Sequence, residues 1–555
     1  MGNSAVQIKQ ELSKLLAQAL KISAEEISFE LPREEKFGDI STTVILRLAK
    51  ERKTNPRALA EETLKALLPL VKDSGLKERI EKISVEGPGY INFYYSARQT
   101  AEVISKIKEH GNNFGKPEGI LPKKIILEFV SANPTGPLTV AHGRQAALGD
   151  SLARILKFCG HQVTTEYYNN DEGVQIQILG QSLYARVLGQ PIPENGYQGE
   201  YLMDVAEKLK EAIAKEKITL GKDADSDLKF CEKFAREDIM EGIRKDLLDF
   251  GVSFDNTYSQ EALGRSGKVE KALEALKAKN VTYEKDGAWW FRSTDFGDDK
   301  DRVLVKSDKS YTYLTPDVAY HHDKFARGFE ELVNIWGPDH HGYIARLKAS
   351  QAALGHNPES IHILIAQLVT LYEEGRQVRM STRAGEFVTL REILDEVGKD
   401  AGRFFFLMRK FDTHLDFDLA LAKSQTPDNP VFYIQYAHAR IESIKNTYLE
   451  RVGVPLQDLN PECLSKLTDP SELKLMRHLA AFEETVLGAE RTLEPYRLVP
   501  YLMELAGLFH RFYTDNRVVT EDASLTQARM MLCIAAQSVI RLGLELLGVS
   551  APLKM

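Results

Sequence analysis

Cysteine is scarce in this chain of 555 residues, and its spacing excludes the usual uses of several thiols. Disulfide frameworks and structural zinc sites need closely paired ligands, but the sequence has no CxxC pair and no histidine pair near a cysteine. It therefore predicts structural thiols and no protein-bound structural metal. The four cysteines are Cys159, Cys231, Cys463 and Cys533.

Long hydrophobic runs are absent as well. No stretch approaches the roughly 18 consecutive apolar residues that a membrane-spanning helix requires, and the N-terminus leads into a polar amphipathic helix. With 43% hydrophobic and 27% charged residues, the composition is that of an ordinary folded protein. We expect a cytoplasmic protein that makes no membrane contact.

An excess of positive charge is missing too. The net charge is −8 and the isoelectric point is near 6.0, so the chain as a whole has no electrostatic signature of nucleic-acid binding. The stretch from Val431 onward is nearly balanced in charge. Local basic strips would have to hold any nucleic acid.

The sequence of residues 123–171 also lacks the common phosphate-binding loop motifs. Residues 123–171 read as strand, loop, helix and strand, because the Pro- and Gly-rich residues 133–137 precede apolar residues at helical spacing, including Leu148, Leu152 and Leu156. Such a βαβ unit brings backbone N–H groups to a helix N-terminus, where phosphate binds readily. The loop contains neither GxGxxG nor GxxxxGK[ST], so dinucleotide and P-loop interpretations lose their main support.

The same loop carries a family resemblance. The run EFVSANPTGPLTVAHGR, residues 128–144, resembles the HIGH-motif region of class I aminoacyl-tRNA synthetases, and specifically that of the arginyl-tRNA synthetase family. The resemblance extends in order over nearly the whole chain. Further segments resemble the family's N-terminal domain (FGD, 37–39, and GPGYINF, 87–93), its catalytic domain (YLTPD, 313–317, and GPDHHG, 337–342) and its C-terminal domain (YAHAR, 436–440, and GVSAPLKM, 548–555).

Periodicity and resemblance together predict an α/β protein with a Rossmann-type class I catalytic domain. Residues 1–110 read as a small α+β domain, which the resemblance places at the tRNA elbow, and residues 111–122 as a linker. Residues 123–424 read as the catalytic domain, with a charged helical insertion at about 174–288 between two βαβ halves. Residues 425–555 show successive helical stripes and read as an all-α anticodon-binding bundle.

The resemblance implies an ATP-dependent ligase. L-Arginine would be activated to an adenylate, with Mg²⁺ accompanying ATP, and then transferred to the 3′ end of tRNA(Arg) by a protein that we expect to be a monomer. Such chemistry needs positioning and charge stabilisation more than covalent help. Small residues should therefore lie near the phosphates, and cations near the leaving pyrophosphate.

Two motifs supply those residues by resemblance. The HIGH signature reads TVAH at residues 139–142, without its first histidine and its glycine, and the KMSK signature reads RMST at residues 379–382, without both lysines. Threonine still donates a hydrogen bond to phosphate, and arginine keeps the cation. The predicted catalytic residues are Thr139, His142, Arg379 and Ser381, and the predicted ATP-binding residues are Gly136, Thr139, His142, Gly143 and Met380.

Recognition of arginine is also marked. A guanidinium needs planar carboxylate or amide acceptors, and the α-amino group needs a partner of its own. Without the family, Asp317 would read as a helix N-cap after Pro316, and Tyr313 as a core aromatic. By resemblance, the arginine-binding residues are Glu128 and Asn133 at the amino-acid end, Tyr313 and Asp317 at the guanidinium, and Asp339 and His341 along the same pocket, with Asn170 and Asp171 nearby.

Three residues of the last unit, Tyr436, Arg440 and Met555, are candidates for tRNA contact through stacking and phosphate binding. Aromatic residues at helical spacing more often belong to a core.

Two alternatives to the ligase stay open. One is a catalytically inactive tRNA-binding paralogue, which the altered HIGH and KMSK motifs favour. The other is a different nucleotidyltransferase of the same fold, against which the C-terminal bundle argues.

Overall fold

The computed structural model describes residues 4–30, 32, 35–216, 220, 223–378 and 388–555. In this part of the chain the predicted α/β class is confirmed, with a small N-terminal unit, a central unit built on a parallel sheet and a C-terminal helical bundle. None of the helices in these ranges is both long and apolar enough to cross a membrane.

The N-terminal unit folds around its own apolar cluster, which extends from Ile8 to Phe93. Its third helix begins where Asn55 accepts a hydrogen bond from the N–H of Ala58 at 3.1 Å, and Pro56 takes the first helical position. The strands pair antiparallel. The elements are α1 (Ser4–Leu20), β1 (Ile40–Thr42), α2 (Val44–Arg52), α3 (Pro56–Lys72), β2 (Ile80–Glu86), β3 (Tyr90–Tyr95) and α4 (Ala97–His110).

The central unit is a doubly wound α/β domain with two small sheets beside its main one. Its elements are β4 (Lys124–Glu128), α5 (Val140–Phe158), β5 (Gln162–Asn169), α6 (Val174–Leu188), α7 (Tyr201–Glu216), α8 (Ala224–Asp249), β6 (Asn256–Ser259), α9 (Gln260–Arg265), α10 (Lys268–Ala278), β7 (Thr282–Lys285), β8 (Ala288–Phe291), β9 (Arg302–Val305), α11 (Leu314–Ala326), β10 (Glu331–Trp336), α12 (Ile344–Leu354), β11 (Ile361–Ile365), β12 (Val369–Glu373), β13 (Arg376–Gln377), α13 (Leu390–Phe406), β14 (Leu415–Asp418) and α14 (Leu419–Lys423).

Five parallel strands form the main sheet in the order β11-β10-β4-β5-β6. Ile126 of β4 is paired with Leu332 of β10 on one side and Thr164 of β5 on the other. The predicted second half, a strand, a helix and a strand, is confirmed as β10, α12 and β11. The two halves build outward in opposite directions from β4 and β10. The crevice between these strands is therefore the switch point at which such sheets bind ligands.

The prediction of a wholly helical insertion is wrong at two strands, β6 and β7, of which β7 belongs to a small antiparallel sheet. Helices α6, α7 and α8 are followed by β6, which pairs with β5 and so belongs to the main sheet. Its four residues, NTYS, are polar and not fully buried, so no hydrophobic pattern marks the strand. Side chains support the pairing instead. Asn256 Nδ2 donates to Glu166 Oε2 at 2.6 Å, and Thr165 Oγ1 donates to Asp255 Oδ2 at 2.9 Å.

The C-terminal unit is the predicted helical bundle. Acidic or amide side chains at Asn429, Asp469 and Asp522 cap the first, second and last of its helices. The helices are α15 (Pro430–Val452), α16 (Pro470–Ala480), α17 (Phe482–Thr492), α18 (Leu498–Asp515) and α19 (Ala523–Leu546).

The bundle and the central unit share one continuous apolar cluster, and a buried cation crosses their junction. Arg403 of α13 is fully buried. Its Nη2 donates to Asp150 Oδ2 at 2.6 Å, its Nε to the carbonyl oxygen of Leu547 at 3.0 Å, and its Nη1 to that of Phe250 at 3.2 Å. This guanidinium therefore joins α5, α13, the end of α8 and the C-terminal segment.

Helix α4 packs on the bundle, although its position in the sequence suggested the N-terminal domain. Ile104 and Ile107 belong to the large shared cluster, and the helix lies against α16 and α19. Phe114, just beyond it, stacks on Phe482 with ring centroids 6.1 Å apart. The core of the first unit therefore ends near Tyr95, before the predicted boundary, because the apolar stripe of α4 matches the bundle.

Candidate active site

A cavity of about 510 Å³ opens at the carboxyl ends of β4 and β10. Its size suits a small-molecule ligand, and its position is the switch point of the main sheet. Residues from β4, the following loop, α5, α11 and the loop after β10 meet here, although they lie far apart in the sequence. The sequence-predicted residues that line the cavity are Glu128, Asn133, His142, Tyr313, Asp317 and Asp339.

Strained backbone shapes the loop after β4. Val130 and Ser131 have φ angles of 67° and 42°, in the left-handed region that side-chain-bearing residues, and β-branched ones above all, seldom adopt. Ser131 Oγ supports this conformation, because it donates to Glu128 Oε1 at 3.2 Å and accepts from the N–H of Tyr168 at 3.1 Å. The loop thereby orients Glu128 at the cavity wall.

His142 presents a proton to the cavity from the first turn of α5. The N–H of Thr139 donates to His142 Nδ1 at 3.1 Å, so Nδ1 is the acceptor and Nε2 carries the proton in this network. Burial lowers the pKa of His142 to about 4, which keeps the ring neutral at physiological pH. A neutral N–H at a helix N-terminus suits a phosphate oxygen, because it adds to the positive end of the helix dipole.

Glu128 is buried and already has a cationic partner. Lys324 of α11 is fully buried, and its Nζ donates to Glu128 Oε2 at 2.5 Å and to Asn334 Oδ1 at 2.8 Å. The same ammonium lies 4.3 Å from the ring centroid of Tyr320. Sequence reasoning missed Lys324, because nothing in a helical HHDK segment distinguishes a buried lysine from a solvated one.

Asp317, in the first turn of α11, is the second carboxyl group of the cavity. Burial is the main cause that raises its pKa, to about 7, and the charge of Glu128 adds to the rise. The Tyr343 hydroxyl and the Lys324 ammonium act in the opposite direction. A carboxyl group of this kind gains a full charge when a cation enters beside it.

Other predicted residues have different surroundings. Asn133 Nδ2 donates to Gln175 Oε1 at 2.7 Å at the cavity's edge. Asn170 lines the cavity, whereas Asp171 is tied to the neighbouring strand end, where it accepts from Ser259 Oγ at 2.7 Å. The two residues expected near the pocket therefore divide into one that faces it and one that supports its wall.

The rim of the cavity is solvent-exposed. Tyr313 is 87% exposed, and Asp339, in the loop after β10, is exposed as well. His341 is exposed and is not among the described residues that line the cavity, while its neighbour His340 is. Residues 338–343 form a 3₁₀-helix, in which successive side chains point about 120° apart, and a run of two histidines in the sequence does not indicate which one faces the cavity.

The predicted ATP-binding residues around His142 lie at the N-terminus of α5. Gly136 and Thr139 precede the helix and, like Gly143, are not among the described residues that line the cavity. A side chain at Gly143 would bring its Cβ within 2.9 Å of Leu390 Cδ1, so this glycine lets α5 and α13 approach closely. A nucleotide contact of these three residues stays a prediction.

Arg379, Met380 and Ser381 lie outside the residues that the structure describes. Val388, where the description resumes, lies beside the N-terminus of α5, because the N–H of Val140 donates to its carbonyl oxygen at 3.2 Å. In the described ranges, no group of three or more His, Cys, Asp or Glu residues could hold a metal ion.

Cavity residues that sequence reasoning missed come mainly from strand ends and helix faces. Gln145 lies one turn after His142 on α5, and helical spacing could have indicated it. His321 follows Asp317 by one turn of α11, its Nδ1 lies 2.9 Å from the carbonyl oxygen of Asp317, and burial lowers its pKa. The others include Tyr168, Gln260, Tyr320, Trp336 and Tyr343.

The predicted tRNA-contact residues lie in the bundle. Tyr436 and Arg440 are half-buried and one turn apart on α15. The guanidinium carbon of Arg440 lies 5.0 Å from the ring centroid of Tyr436 and 5.6 Å from that of Tyr513, which makes a cation and two rings one composite surface. Met555 is 53% exposed at the chain end.

Three family models match successive parts of the chain. The N-terminal unit matches "Arginyl tRNA synthetase N terminal domain" over residues 5–95. The central unit matches "tRNA synthetases class I (R), catalytic domain" over residues 104–409. The bundle matches "DALR anticodon binding domain" over residues 434–555.

Relatives match the chain from end to end. An arginine-tRNA ligase from Syntrophotalea carbinolica is 44% identical over 563 residues, which cover 99% of this chain and 100% of the relative. One from Citrifermentans bemidjiense is 45% identical over 536 residues and covers 95% of each chain. The solved arginyl-tRNA synthetase of Thermus thermophilus has the same fold, with a TM-score of 0.75 over 98% of this chain and 99% of that one, at 24% identity.

Proposed function

This chain belongs to the arginyl-tRNA synthetase family, and we infer that it is an arginine-tRNA ligase whose chemistry takes place in the cavity between β4 and β10. Identity to named ligases over the whole chain does not favour the inactive paralogue as an alternative. The bundle match likewise argues against another nucleotidyltransferase.

One observation carries the assignment of the site. The cavity combines His142, a neutral N–H donor at a helix N-terminus, with Asp317, a half-buried carboxyl group in the first turn of α11. The first suits a phosphate anion, and the second suits a cationic side chain. A ligase that activates arginine with ATP must bind a phosphate group and a guanidinium in the same cavity.

The reaction needs two transfers. A carboxylate oxygen of arginine attacks the α-phosphorus of ATP, the bond to the β-phosphate breaks, and pyrophosphate leaves. A hydroxyl of the terminal tRNA ribose then attacks the arginyl carbonyl carbon, loses its proton, and displaces AMP. Negative charge develops on the phosphate oxygens in the first transfer, so a preorganised donor such as His142 Nε2–H contributes most there.

The remaining site assignments follow the family motifs. Asp317, with Tyr313 at the rim, receives the guanidinium, and Asn133 with Glu128 holds the amino-acid end. Asp339 and His341 belong to the rim of the same pocket. Around ATP we place Gly136, Thr139, Gly143 and Met380, with Arg379 and Ser381 at the departing pyrophosphate.

Recognition of tRNA(Arg) extends over the outer units. We assign stacking and phosphate contacts in the anticodon region to Tyr436, Arg440 and Met555, and contact with the tRNA elbow to the N-terminal unit. Mg²⁺ accompanies ATP, and hard oxygen ligands from the phosphates suit that ion. The enzyme works as a monomer in the cytoplasm.

The test is charging of unfractionated tRNA with radiolabelled arginine and Mg²⁺-ATP, beside pyrophosphate exchange with and without tRNA. We expect charging with arginine alone among the amino acids, and exchange only when tRNA is present. Binding of tRNA without charging would identify an inactive binding protein and overturn the proposal.

A further inference from the structure

One buried charge beside the cavity, that of Lys324 on α11, has no assigned role. Lys324 uses two N–H groups on Glu128 and Asn334 and faces the ring of Tyr320 with its ammonium. It is fully buried and is not among the described residues that line the cavity. A substrate therefore cannot touch Lys324, which acts only through the groups that it holds.

Glu128 is held from both sides. One carboxylate oxygen accepts from Lys324 and the other from Ser131 Oγ at 3.2 Å. The ammonium of Lys324 lies 2.5 Å from Glu128 Oε2, and desolvated opposite charges in contact attract strongly. The ammonium therefore offsets the electrostatic effect of the Glu128 carboxylate on a ligand in the cavity. The pair contributes no net charge to a ligand in the cavity.

Among the residues that the structure describes, Asp317, which is half-buried, is then the remaining carboxyl group in the interior of the cavity. The charged or titratable groups that face it are Glu128 on β4, Lys324 on its own helix and the hydroxyls of Tyr343 and Tyr168. His321, one turn along α11, is kept neutral by burial. Asp339 lies exposed at the rim, where water screens its charge. The interior of the cavity thus carries one negative charge that no cation of the described ranges neutralises, which matches a monocation.

We propose that Lys324 is a specificity-determining positioning residue that cancels the charge of Glu128, so that Asp317 alone provides the counter-charge for the guanidinium of the substrate. This rests on the proposed function, since it concerns the arginine end of the same cavity. Without Lys324, Glu128 and Asp317 would compete for one proton, because two carboxylates at close range do not ionise together readily.

The consequence is a pH dependence with a defined sign. Below its pKa, Asp317 takes up a proton and loses its attraction for a guanidinium, so kcat/KM for arginine falls tenfold for each pH unit on the acid side. Lys324 favours the charged form of Asp317, and Glu128 disfavours it. Removal of Lys324 should therefore move the acid limb to higher pH, and removal of the Glu128 charge should move it to lower pH.

The experiment measures kcat/KM for arginine in tRNA charging from about pH 5.5 to 9 in four proteins, namely the wild type, Lys324→Met, Lys324→Arg and Glu128→Gln. We expect the midpoint of the acid limb to move to higher pH by about one unit or more in Lys324→Met and to keep its wild-type position in Lys324→Arg. In Glu128→Gln the midpoint should move to lower pH. The pH profile of kcat/KM for ATP serves as the internal control and should keep its shape.

A merely structural role for Lys324 would lower activity equally at every pH. Limbs that stay at the wild-type pH in both Lys324→Met and Glu128→Gln would overturn the proposal. If Lys324→Met does not fold, Glu128→Gln still decides it: an acid limb that moves to lower pH, beside an unshifted limb in Lys324→Arg, supports the inference, and an unshifted Glu128→Gln profile refutes it. A wild type that does not charge tRNA would refute the proposed function instead.

Discussion

The cavity and the junction between the central unit and the bundle both bury charged side chains, but they treat these charges differently. At the junction, the guanidinium of Arg403 meets one carboxylate and two carbonyl oxygens. At the cavity, the half-buried Asp317 has no cationic partner of its own in the described part of the chain, and its pKa is raised to about 7. The charge at the junction is therefore paired within the protein, whereas the charge at the cavity still lacks a partner that a cationic ligand can supply.

The difference separates stabilising charges from functional ones. A buried ion pair with satisfied hydrogen bonds resists removal of either partner, because the other is then left uncompensated. A perturbed, incompletely paired group in a cleft is typical of an active site. Substitutions at the junction should therefore change stability, and substitutions at the cavity should change kinetics.

The largest expected effect tests the junction. Replacing Arg403→Met keeps most of the side-chain volume but removes the buried guanidinium and all its hydrogen bonds, to Asp150, Ser151 and two carbonyl oxygens, and we expect a loss of about 3 to 5 kcal/mol of stability although Arg154 still donates to Asp150. Thermal and urea unfolding of the whole protein measure it. The matched control is Arg154→Met, since Arg154 pairs with the same Asp150 at 2.7 Å but is 43% exposed, and should change stability by less than about 1 kcal/mol. Equal losses of stability in Arg403→Met and Arg154→Met would show that burial of the Arg403 guanidinium does not add to stability.

The next effect tests the cavity. His142→Ala removes the N–H donor to phosphate, and we expect kcat to fall by about 10²- to 10³-fold. Single-turnover adenylate formation in the presence of tRNA measures this step. His142→Asn keeps a donor and should recover part of the rate, while His414→Ala, at an exposed histidine on the edge of β14, should leave it unchanged. An unchanged rate in His142→Ala would return this histidine to a purely structural role.

A smaller effect compares two acids of one pocket. Asp317→Asn removes the counter-charge inside the cavity, and we expect KM for arginine to rise by about 10- to 150-fold, equivalent to about 1.5 to 3 kcal/mol. KM for ATP should change little. Asp339→Asn, at a side chain that is 78% exposed, should raise KM for arginine only slightly because water screens its charge. The reverse order would place the guanidinium at the rim.

Much of this architecture follows from the sequence, because its large elements carry their own patterns. The helices of the bundle have apolar stripes and capping residues, and β4 and β10 are built around the apolar residues 125–127 and Leu332, Val333 and Ile335. Strand β6 could not be predicted, since it is short and polar and is held by Asn256 and other side chains. Its place in the sheet is a property of tertiary structure alone.

The site was predictable where a motif marks it. His142 and Asp317 are found from HIGH- and YLTPD-like segments, and the structure brings both to one cavity. Lys324 and His321 have no such mark, because burial, which gives them their chemistry, is set by the packing of α11 against the sheet. Val130 is a similar case, since nothing in the sequence signals its positive φ.

The smallest expected effect lies far from the cavity. Deleting residues 553–555 removes the exposed Leu553 and Met555 but keeps Pro552, whose carbonyl oxygen accepts from His438 Nδ1 at 2.9 Å. We expect KM for tRNA to rise about fivefold, equivalent to about 1 kcal/mol, with no change in melting temperature. A lower melting temperature with unchanged KM would show that the tail serves packing alone.

The placement of α4 has a consequence for synthesis on the ribosome. This helix leaves the ribosome early, but α16 begins 360 residues after it ends, at residues 470 and 110. At a translation rate of about 5 to 20 residues per second, α16 is synthesised about 20 to 70 s after α4. The apolar stripe of α4 stays exposed during that time. The nascent chain therefore exposes an aggregation-prone helix for most of its translation, and a ribosome-associated chaperone has a defined segment to protect until the C-terminal helices emerge.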